Sequence, residues 1–194
     1  MKKTAYLIFA SSLCFLVTAC KKNSTPEPDP APTPPPTAVT NVYAGGIETN
    51  TAGTIGTGKY WKNGTAVNLS DGTKDVSINS MAVVGTDVYA AGYETNTVGN
   101  TIAKYWKNGI AVSLTDGTKI ALLNSIVIVG TDVYAGGTES NANGIEVAKY
   151  WKNGTAVNLT NGTKNASVSS LKIVGTDVYA GGYENNGTRD VAKY

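Results

Sequence analysis

The sequence predicts an all-β fold built from short antiparallel strands, and three observations lead to this prediction. Beyond Thr40 the chain repeats a motif of about 45 residues, and each repeat contains four short runs rich in Val, Ile, Thr and Tyr. Turn-forming residues separate the runs, and none of the runs has the 3.6-residue spacing of apolar side chains that is typical of helices. Each repeat is therefore expected to form one four-stranded antiparallel meander.

Two blocks of sequence mark the repeat. The first block is Asp-Val-Tyr-Ala followed by Gly-Gly or Ala-Gly, with Asn in place of Asp in the first copy. The second block is Lys-Tyr-Trp-Lys-Asn-Gly, of which the fourth copy has only the Lys and the Tyr. The blocks begin at Asn41, Asp87, Asp132 and Asp177 and at Lys59, Lys104, Lys149 and Lys193, respectively. These positions divide residues 39–194 into repeats at about 41–86, 87–131 and 132–176 and a partial repeat at 177–194.

The third repeat illustrates the predicted strands and turns. Asn153-Gly154 predicts a type I′ hairpin turn between its second and third strands, because that turn needs a positive φ at both central positions. Four strands in a repeat of about 45 residues are the pattern of a β-propeller blade. The four strands are expected at Val133–Gly137, Val147–Lys152, Thr155–Leu159 and Ser169–Val174.

The number of predicted blades is too small for an ordinary ring. Propellers typically have about 4–8 blades, whereas this chain supplies three complete blades and the first two strands of a fourth. Prolines between Pro26 and Pro36 prevent the preceding segment from supplying the missing strands. Three explanations stay open at this point: the chain is truncated after Tyr194, two chains close one ring as a homodimer, or the strands form an open solenoid. The break inside the Lys-Tyr-Trp-Lys block favours truncation.

The first twenty residues predict export and lipid attachment. Two lysines precede an apolar run from Ala5 to Val17, which is too short to cross a bilayer of about 30 Å and is typical of a signal peptide. The sequence Val17-Thr18-Ala19-Cys20 resembles the lipobox of bacterial lipoproteins. That resemblance implies that residues 1–19 are removed as a signal peptide and that Cys20 is acylated and anchors the chain to a membrane. A plain secretory signal is the alternative.

A proline-rich segment separates the anchor from the repeats. All seven prolines lie within residues 26–36, so residues 20–38 are expected to form a semi-rigid polyproline stalk behind the lipidated Cys20. Removal of residues 1–19 also removes Lys2 and Lys3 and leaves the formal charges balanced. A neutral chain has no basic surface that would bind nucleic acid or anionic lipids. The expected attachment to a membrane is therefore through the acyl chains.

The glycine pair after an apolar run, with Tyr and Trp further along, resembles the kelch repeat, and the repeat length also suits WD40-like blades. The match departs from kelch at Ala91, which replaces the first glycine of one copy, and in the adjacent Tyr and Trp, which kelch separates. Over residues 1–194 the chain is similar to repeat-bearing surface lipoproteins of the Bacteroidetes type. This resemblance implies a propeller fold, and Lys21 after the lipidated cysteine favours the outer membrane, on its periplasmic or its outer face.

The residue types present predict a binding or scaffold protein, with no catalytic residue, metal or cofactor. The chain has no histidine, which removes the commonest general base and metal ligand. One aromatic pair per repeat is the candidate binding site for a protein or glycan ligand, because exposed Tyr and Trp are efficient anchors. Packing of each Trp between neighbouring blades is the favoured alternative, because every blade contains this residue. The pairs are Tyr60 and Trp61, Tyr105 and Trp106, and Tyr150 and Trp151.

Acidic residues give two further hypotheses. One Glu follows each glycine pair and one Lys lies on the next strand, which predicts cross-strand ion pairs rather than a ring of carboxylates around a cation. The glycine pairs themselves are expected to allow close backbone packing or a bulge. Outside the repeat pattern, Asp75, Glu146 and Asp190 are candidates for a polysaccharide-active enzyme, which needs two acids about 5–10 Å apart. The expected ion pairs are Glu48 with Lys59, Glu94 with Lys104, Glu139 with Lys149 and Glu184 with Lys193.

Overall fold

The computed structural model describes residues 40–194, so the predicted signal peptide, Cys20 and the proline-rich stalk lie outside the described residues. Within residues 40–194 the chain forms 14 strands and no helix, which confirms the all-β prediction. The strands are β1 (Tyr43–Thr49), β2 (Gly56–Lys62), β3 (Thr65–Asn68), β4 (Val76–Val84), β5 (Asp87–Thr95), β6 (Thr101–Lys107), β7 (Ile110–Ser113), β8 (Ala121–Val129), β9 (Asp132–Ser140), β10 (Glu146–Lys152), β11 (Thr155–Asn158), β12 (Ala166–Val174), β13 (Asp177–Asn185) and β14 (Asp190–Lys193).

The strands form four antiparallel sheets, and each sheet is a meander of strands that are consecutive in the sequence. We number the sheets in chain order: sheet 1 contains β1–β3, sheet 2 contains β4–β7, sheet 3 contains β8–β11 and sheet 4 contains β12–β14. The prediction of four-stranded antiparallel units is therefore confirmed in sheets 2 and 3.

The boundary between sheets differs by one strand from the boundary that the sequence repeat predicts. The strand that ends each repeat, such as β8, begins a new sheet together with the strand that follows it, β9. The two-residue loop Gly130-Thr131 joins β8 to β9 and forces them to pair, whereas the longer segment 114–120 crosses to the next sheet. The described residues therefore form two complete sheets between two three-stranded sheets, in place of three complete blades and a half.

Asn-Gly turns join the second and third strands of three repeats. Asn63, Asn108 and Asn153 all have a positive φ, and so does the glycine after each of them. This is the type I′ geometry that the sequence predicts. The Asn108 side chain also accepts a hydrogen bond of 2.8 Å from the Val88 N–H, which ties the turn to β5.

A β-bulge in the first strand of sheets 2, 3 and 4 brings consecutive sheets together. In β8 the Asn124 amide donates a hydrogen bond of 2.8 Å to the Val168 carbonyl of sheet 4, and Asn79 of β4 makes the corresponding 2.8 Å bond to sheet 3. In sheets 2, 3 and 4 the second glycine of the pair lies against the bulged strand, and a side chain at Gly137 would overlap the Leu122 carbonyl. Close backbone packing, the role expected of the glycine pairs, is thereby confirmed.

The sheets stack face to face in chain order. The first strand of each sheet lies against the sheet before it: β4 contacts β1 and β2, β8 contacts β4–β6, and β12 contacts β8–β10. Three apolar clusters fill the spaces between the sheets, and we name them layer 1–2, layer 2–3 and layer 3–4 after the sheets on either side. Within residues 40–194 the stack does not close into a ring, so sheets 1 and 4 each have one face without a neighbouring sheet.

Candidate functional site

The three tryptophans occupy the same position of the repeat but have different surroundings. Trp106 lies in layer 1–2 and Trp151 in layer 2–3, and each is only 1% exposed. Neither ring is available to stack on a sugar, so their burial supports the packing interpretation at both positions. Trp61 is partly buried and points away from layer 1–2, because its neighbour Tyr60 packs into that layer. Trp61 is therefore the tryptophan that remains a candidate for ligand binding.

The tyrosines beside the tryptophans point toward the following sheet. Tyr60 packs against layer 1–2, Tyr105 against layer 2–3 and Tyr150 against layer 3–4. Burial raises the pKa of the Tyr105 hydroxyl, and the neighbouring Tyr89 adds to this effect. Because alternate side chains of a strand lie on opposite faces, the Tyr and Trp of one pair do not form a single aromatic surface. The Tyr and Trp are adjacent in the sequence, but their side chains lie on opposite faces of the sheet.

The free face of sheet 1 combines an aromatic ring with charged groups. Lys59 lies two residues before Trp61 on the same face, and it forms an ion pair with Glu48 of β1. The Glu48 side chain is mostly exposed, whereas its counterpart Glu94 in sheet 2 is mostly buried beneath sheet 1. A Cβ atom at Gly46 would come within 3.5 Å of the Trp61 ring, so this glycine leaves room beside it. The carboxylate and the indole ring are thus covered in sheet 2 and more exposed in sheet 1, whereas the lysine is mostly buried in both sheets.

The expected cross-strand ion pairs form in all four sheets. Their ammonium and carboxylate groups lie on neighbouring strands of one sheet, as the sequence predicts. The pairs in sheets 1 and 4 each have one exposed member, and exposed pairs stabilise a fold by at most about 1 kcal/mol each. The pairs are Glu48 with Lys59, Glu94 with Lys104 (2.9 Å), Glu139 with Lys149 (2.5 Å) and Glu184 with Lys193 (3.4 Å).

A second charged cluster, which the sequence analysis missed, repeats at the Asn-Gly turns. In sheet 2 the Lys107 ammonium lies 5.2 Å from the centroid of the Tyr89 ring and 2.9 Å from the Asp87 carboxylate. Asn108 donates a 2.8 Å hydrogen bond to Asp87. Lys107 and then Asn108 hold the pKa of Asp87 below its usual value, and Asp87 and then Tyr89 raise the pKa of Lys107. Sheet 3 repeats the cluster with Asp132, Tyr134, Lys152 and Asn153.

The acids proposed for an enzyme have three different hydrogen-bond partners. Asp75 accepts a 2.8 Å hydrogen bond from the Gly56 N–H, at the connection between sheets 1 and 2. Glu146 accepts a 3.3 Å hydrogen bond from the Tyr183 hydroxyl, and burial and then Glu146 raise the pKa of Tyr183. Asp190 accepts a 2.9 Å hydrogen bond from the Asn185 side chain. These hydrogen bonds do not join any two of the three acids.

Residues 40–194 contain neither a metal-binding cluster nor a membrane-spanning helix. No group of three or more His, Cys, Asp and Glu side chains in that range is arranged to hold a metal ion. In the same part of the chain, no helix has the length and apolar character needed to cross a membrane. No model of a protein family matches the sequence, and no curated protein matches it.

Proposed function

We propose that the chain is a non-enzymatic, lipid-anchored protein of the bacterial cell envelope that presents a β-sheet repeat surface to a glycan or protein. The free face of sheet 1 supports this proposal most, because Trp61 and Glu48 are accessible there in positions that sheet 2 uses for packing. An indole ring beside charged groups is a typical binding anchor, since the ring provides contact area and the charged groups provide hydrogen bonds.

The anchor in this proposal is Cys20. The apolar run, the residues before Cys20 and the resemblance to surface lipoproteins of the Bacteroidetes type support acylation at this position and attachment to the outer membrane. Metabolic labelling with palmitate tests it directly. Cys20→Ser is expected to abolish the label, and Cys14→Ser is the matched control that keeps it. Label that persists in the Cys20→Ser protein contradicts lipid anchoring at this residue.

Ligand binding is tested with an array of bacterial and plant glycans and with extracted cell-envelope proteins. Trp61→Ala is expected to weaken binding of the ligand at least about tenfold, because a truncated aromatic anchor loses most of its contact energy. Ile110→Ala is the control, since Ile110 is a large apolar side chain that is 72% exposed on sheet 2. Equal binding by the Trp61→Ala protein, with an unchanged thermal melt, removes sheet 1 from the proposal.

A polysaccharide-active enzyme is the second candidate, and the observation in its favour is the hydrogen bond from the Tyr183 hydroxyl to Glu146, an acid outside the repeat pattern. Glycosidases use two carboxyl groups on either side of the scissile bond. Incubation with mixed glycans and detection of new reducing ends distinguishes the two candidates. Product that disappears in the Glu146→Gln protein supports the enzyme, and lack of product with every glycan supports the binding protein.

A further inference from the structure

Residues 40–194 contain six Asn-Gly pairs, which are alike in sequence and differ in how the fold holds them. In such a pair the backbone nitrogen of the glycine can attack the side-chain amide carbon of the asparagine, because glycine has no Cβ atom to obstruct the approach. The asparagine side chain must first leave the hydrogen bonds that hold it elsewhere. The pairs begin at Asn63, Asn108, Asn143, Asn153, Asn161 and Asn186.

The asparagines of the three type I′ turns have both ends of the side-chain amide bound. The Asn153 oxygen accepts a 2.9 Å hydrogen bond from the Val133 N–H, and the Asn153 nitrogen donates a 2.8 Å hydrogen bond to Asp132. Asn108 makes the same two bonds in sheet 2, and Asn63 makes the corresponding bonds in sheet 1. These bonds direct the amide carbon toward the neighbouring strand, so attack by the following glycine requires both of them to break.

The asparagines of two further pairs are held by the side-chain oxygen. Asn161 accepts hydrogen bonds of 3.0 Å from the Thr163 N–H and 2.7 Å from the Thr163 hydroxyl. Asn186 accepts the corresponding bonds from Thr188, of 3.0 Å and 2.8 Å. Each of these amides is fixed within its own turn, so the fold restrains them as well.

Asn143 is held differently from the other five asparagines. It is an exposed residue of the loop between β9 and β10, and its side-chain amide makes no hydrogen bond within residues 40–194. Its backbone N–H donates a 2.9 Å hydrogen bond to the Asn141 side chain, which holds the backbone of the loop and not the Asn143 amide. A Cβ atom placed at Gly144 would have no atom within 4 Å beyond its chain neighbours, so the space around this glycine is open.

We propose that Asn143 is a site of spontaneous deamidation, because the fold restrains the other Asn-Gly pairs of residues 40–194 and leaves this one unrestrained. The Gly144 nitrogen bonds to the Asn143 amide carbon, the bond from that carbon to the side-chain nitrogen breaks, and the Gly144 proton passes through water to the departing ammonia. Water then opens the cyclic imide at one of its two carbonyl carbons. The products are Asp and its β-linked isomer, and water is the only co-reactant.

The modification changes a loop that contacts the connection between two sheets. Asn141, two residues before the site, donates a 2.9 Å hydrogen bond to the Gly162 carbonyl, and Gly162 lies in the segment 159–165 between sheets 3 and 4. Deamidation adds one negative charge to this loop, and the β-linked product adds a methylene group to its backbone. The reaction depends neither on lipid attachment nor on ligand binding by sheet 1.

The test is peptide mapping by mass spectrometry of the purified full chain, incubated at neutral pH and sampled over several weeks. Fragment ions of the tryptic peptides locate the modified asparagine, and a digest of fresh protein gives the background of the procedure. Asn143 is expected to deamidate at least about tenfold faster than Asn108 or Asn153, because each of these must first break two hydrogen bonds. Equal rates at the three asparagines overturn the proposal.

Two controls separate the effect of the fold from that of the sequence. In guanidinium chloride the chain is unfolded, and the three rates are expected to become similar. Asp132→Ala removes one hydrogen bond of Asn153 and is expected to raise its rate about threefold or more, while Asn108 keeps its bonds and its rate. A thermal melt shows that this variant is folded. The proposal is also overturned if Asn143 keeps its full advantage in the unfolded chain, or if Asp132→Ala raises the rates at Asn108 and Asn153 equally.

Discussion

Sheets 2 and 3 and the two end sheets contain the same sequence motifs and use them differently. Trp106 and Trp151 fill layers between sheets, whereas Trp61 lies on a free face. Leu69 is covered by the next sheet, whereas Leu159 is exposed. In a stack of repeats, the role of a residue depends on whether a neighbouring sheet covers it, and that neighbour belongs to another repeat. The proposed ligand-binding surface of sheet 1 therefore contains a tryptophan that no neighbouring sheet covers within the described residues.

The largest difference in stability is expected between two tryptophan substitutions at the same position of the repeat. Trp151→Ala leaves a cavity in layer 2–3 and is expected to lower the free energy of unfolding by about 3–5 kcal/mol. Trp61→Ala removes a partly exposed ring and is expected to cost less than about 2 kcal/mol. Guanidinium denaturation of both variants measures the difference. Equal losses of stability contradict the comparison between covered and free faces.

The local features of this fold could be predicted from the sequence because their causes are local. Asn153-Gly154 needs no distant contact to adopt a positive φ at both positions, and the turn forms as predicted. The packing role of Trp106 and Trp151 could be predicted because each complete repeat contains one Trp at the same position. The boundaries of the sheets were not predicted correctly, because the repeat pattern alone allows a sheet to begin after any loop. Only the loop lengths distinguish a hairpin within a sheet from a connection to the next sheet.

The features that the sequence analysis missed depend on contacts between strands or sheets. The cluster of Asp87, Tyr89, Lys107 and Asn108 has the spacing of the repeat, and its members come from two blocks that meet only when β5 and β6 pair. Leu159 is exposed, although its counterpart Leu69 is a core residue of layer 1–2. This difference in exposure depends on the order of the sheets, which the sequence does not show.

An intermediate loss of stability is expected when a hydrogen bond between a β-bulge and the next sheet is removed. Asn124→Ala removes a hydrogen bond from sheet 3 to sheet 4 and leaves the Val168 carbonyl without this donor, which is expected to cost about 1–3 kcal/mol. Ser169→Ala changes the counterpart residue of β12, which is exposed, and is expected to change stability by less than about 0.5 kcal/mol. Urea midpoints measure both changes. A larger loss at Ser169 than at Asn124 contradicts the bulge contact.

The smallest effect is expected on the stability of the fold at low pH, where the Asp116 carboxylate becomes protonated. Hydrogen bonds from the side chain and then the backbone of Thr118 lower the pKa of Asp116, and Asn161 makes the same two bonds in the third turn without a charge. Because the pKa is lower in the folded state, this carboxylate stabilises the fold above its unfolded pKa of about 3.9, and the contribution is lost as the pH falls through the folded value.

The Asp116→Asn protein is therefore expected to have nearly the same melting temperature at pH 7 as the unsubstituted protein. Between about pH 4 and pH 2 its melting temperature is expected to fall less steeply. Thermal melts across this range test the sign of the effect. A steeper fall in the variant contradicts the assignment.

The difference between covered and free faces is tested most directly by fluorine NMR of the full chain labelled with 5-fluorotryptophan. The chain has three tryptophans, so three resonances are expected, and each is assigned by its loss in a Trp→Phe variant. Exchange of H₂O for D₂O is expected to shift the resonance of Trp61 and to leave those of Trp106 and Trp151 nearly unchanged. A solvent shift at Trp106 or Trp151 as large as that at Trp61 contradicts the stacked arrangement of the sheets.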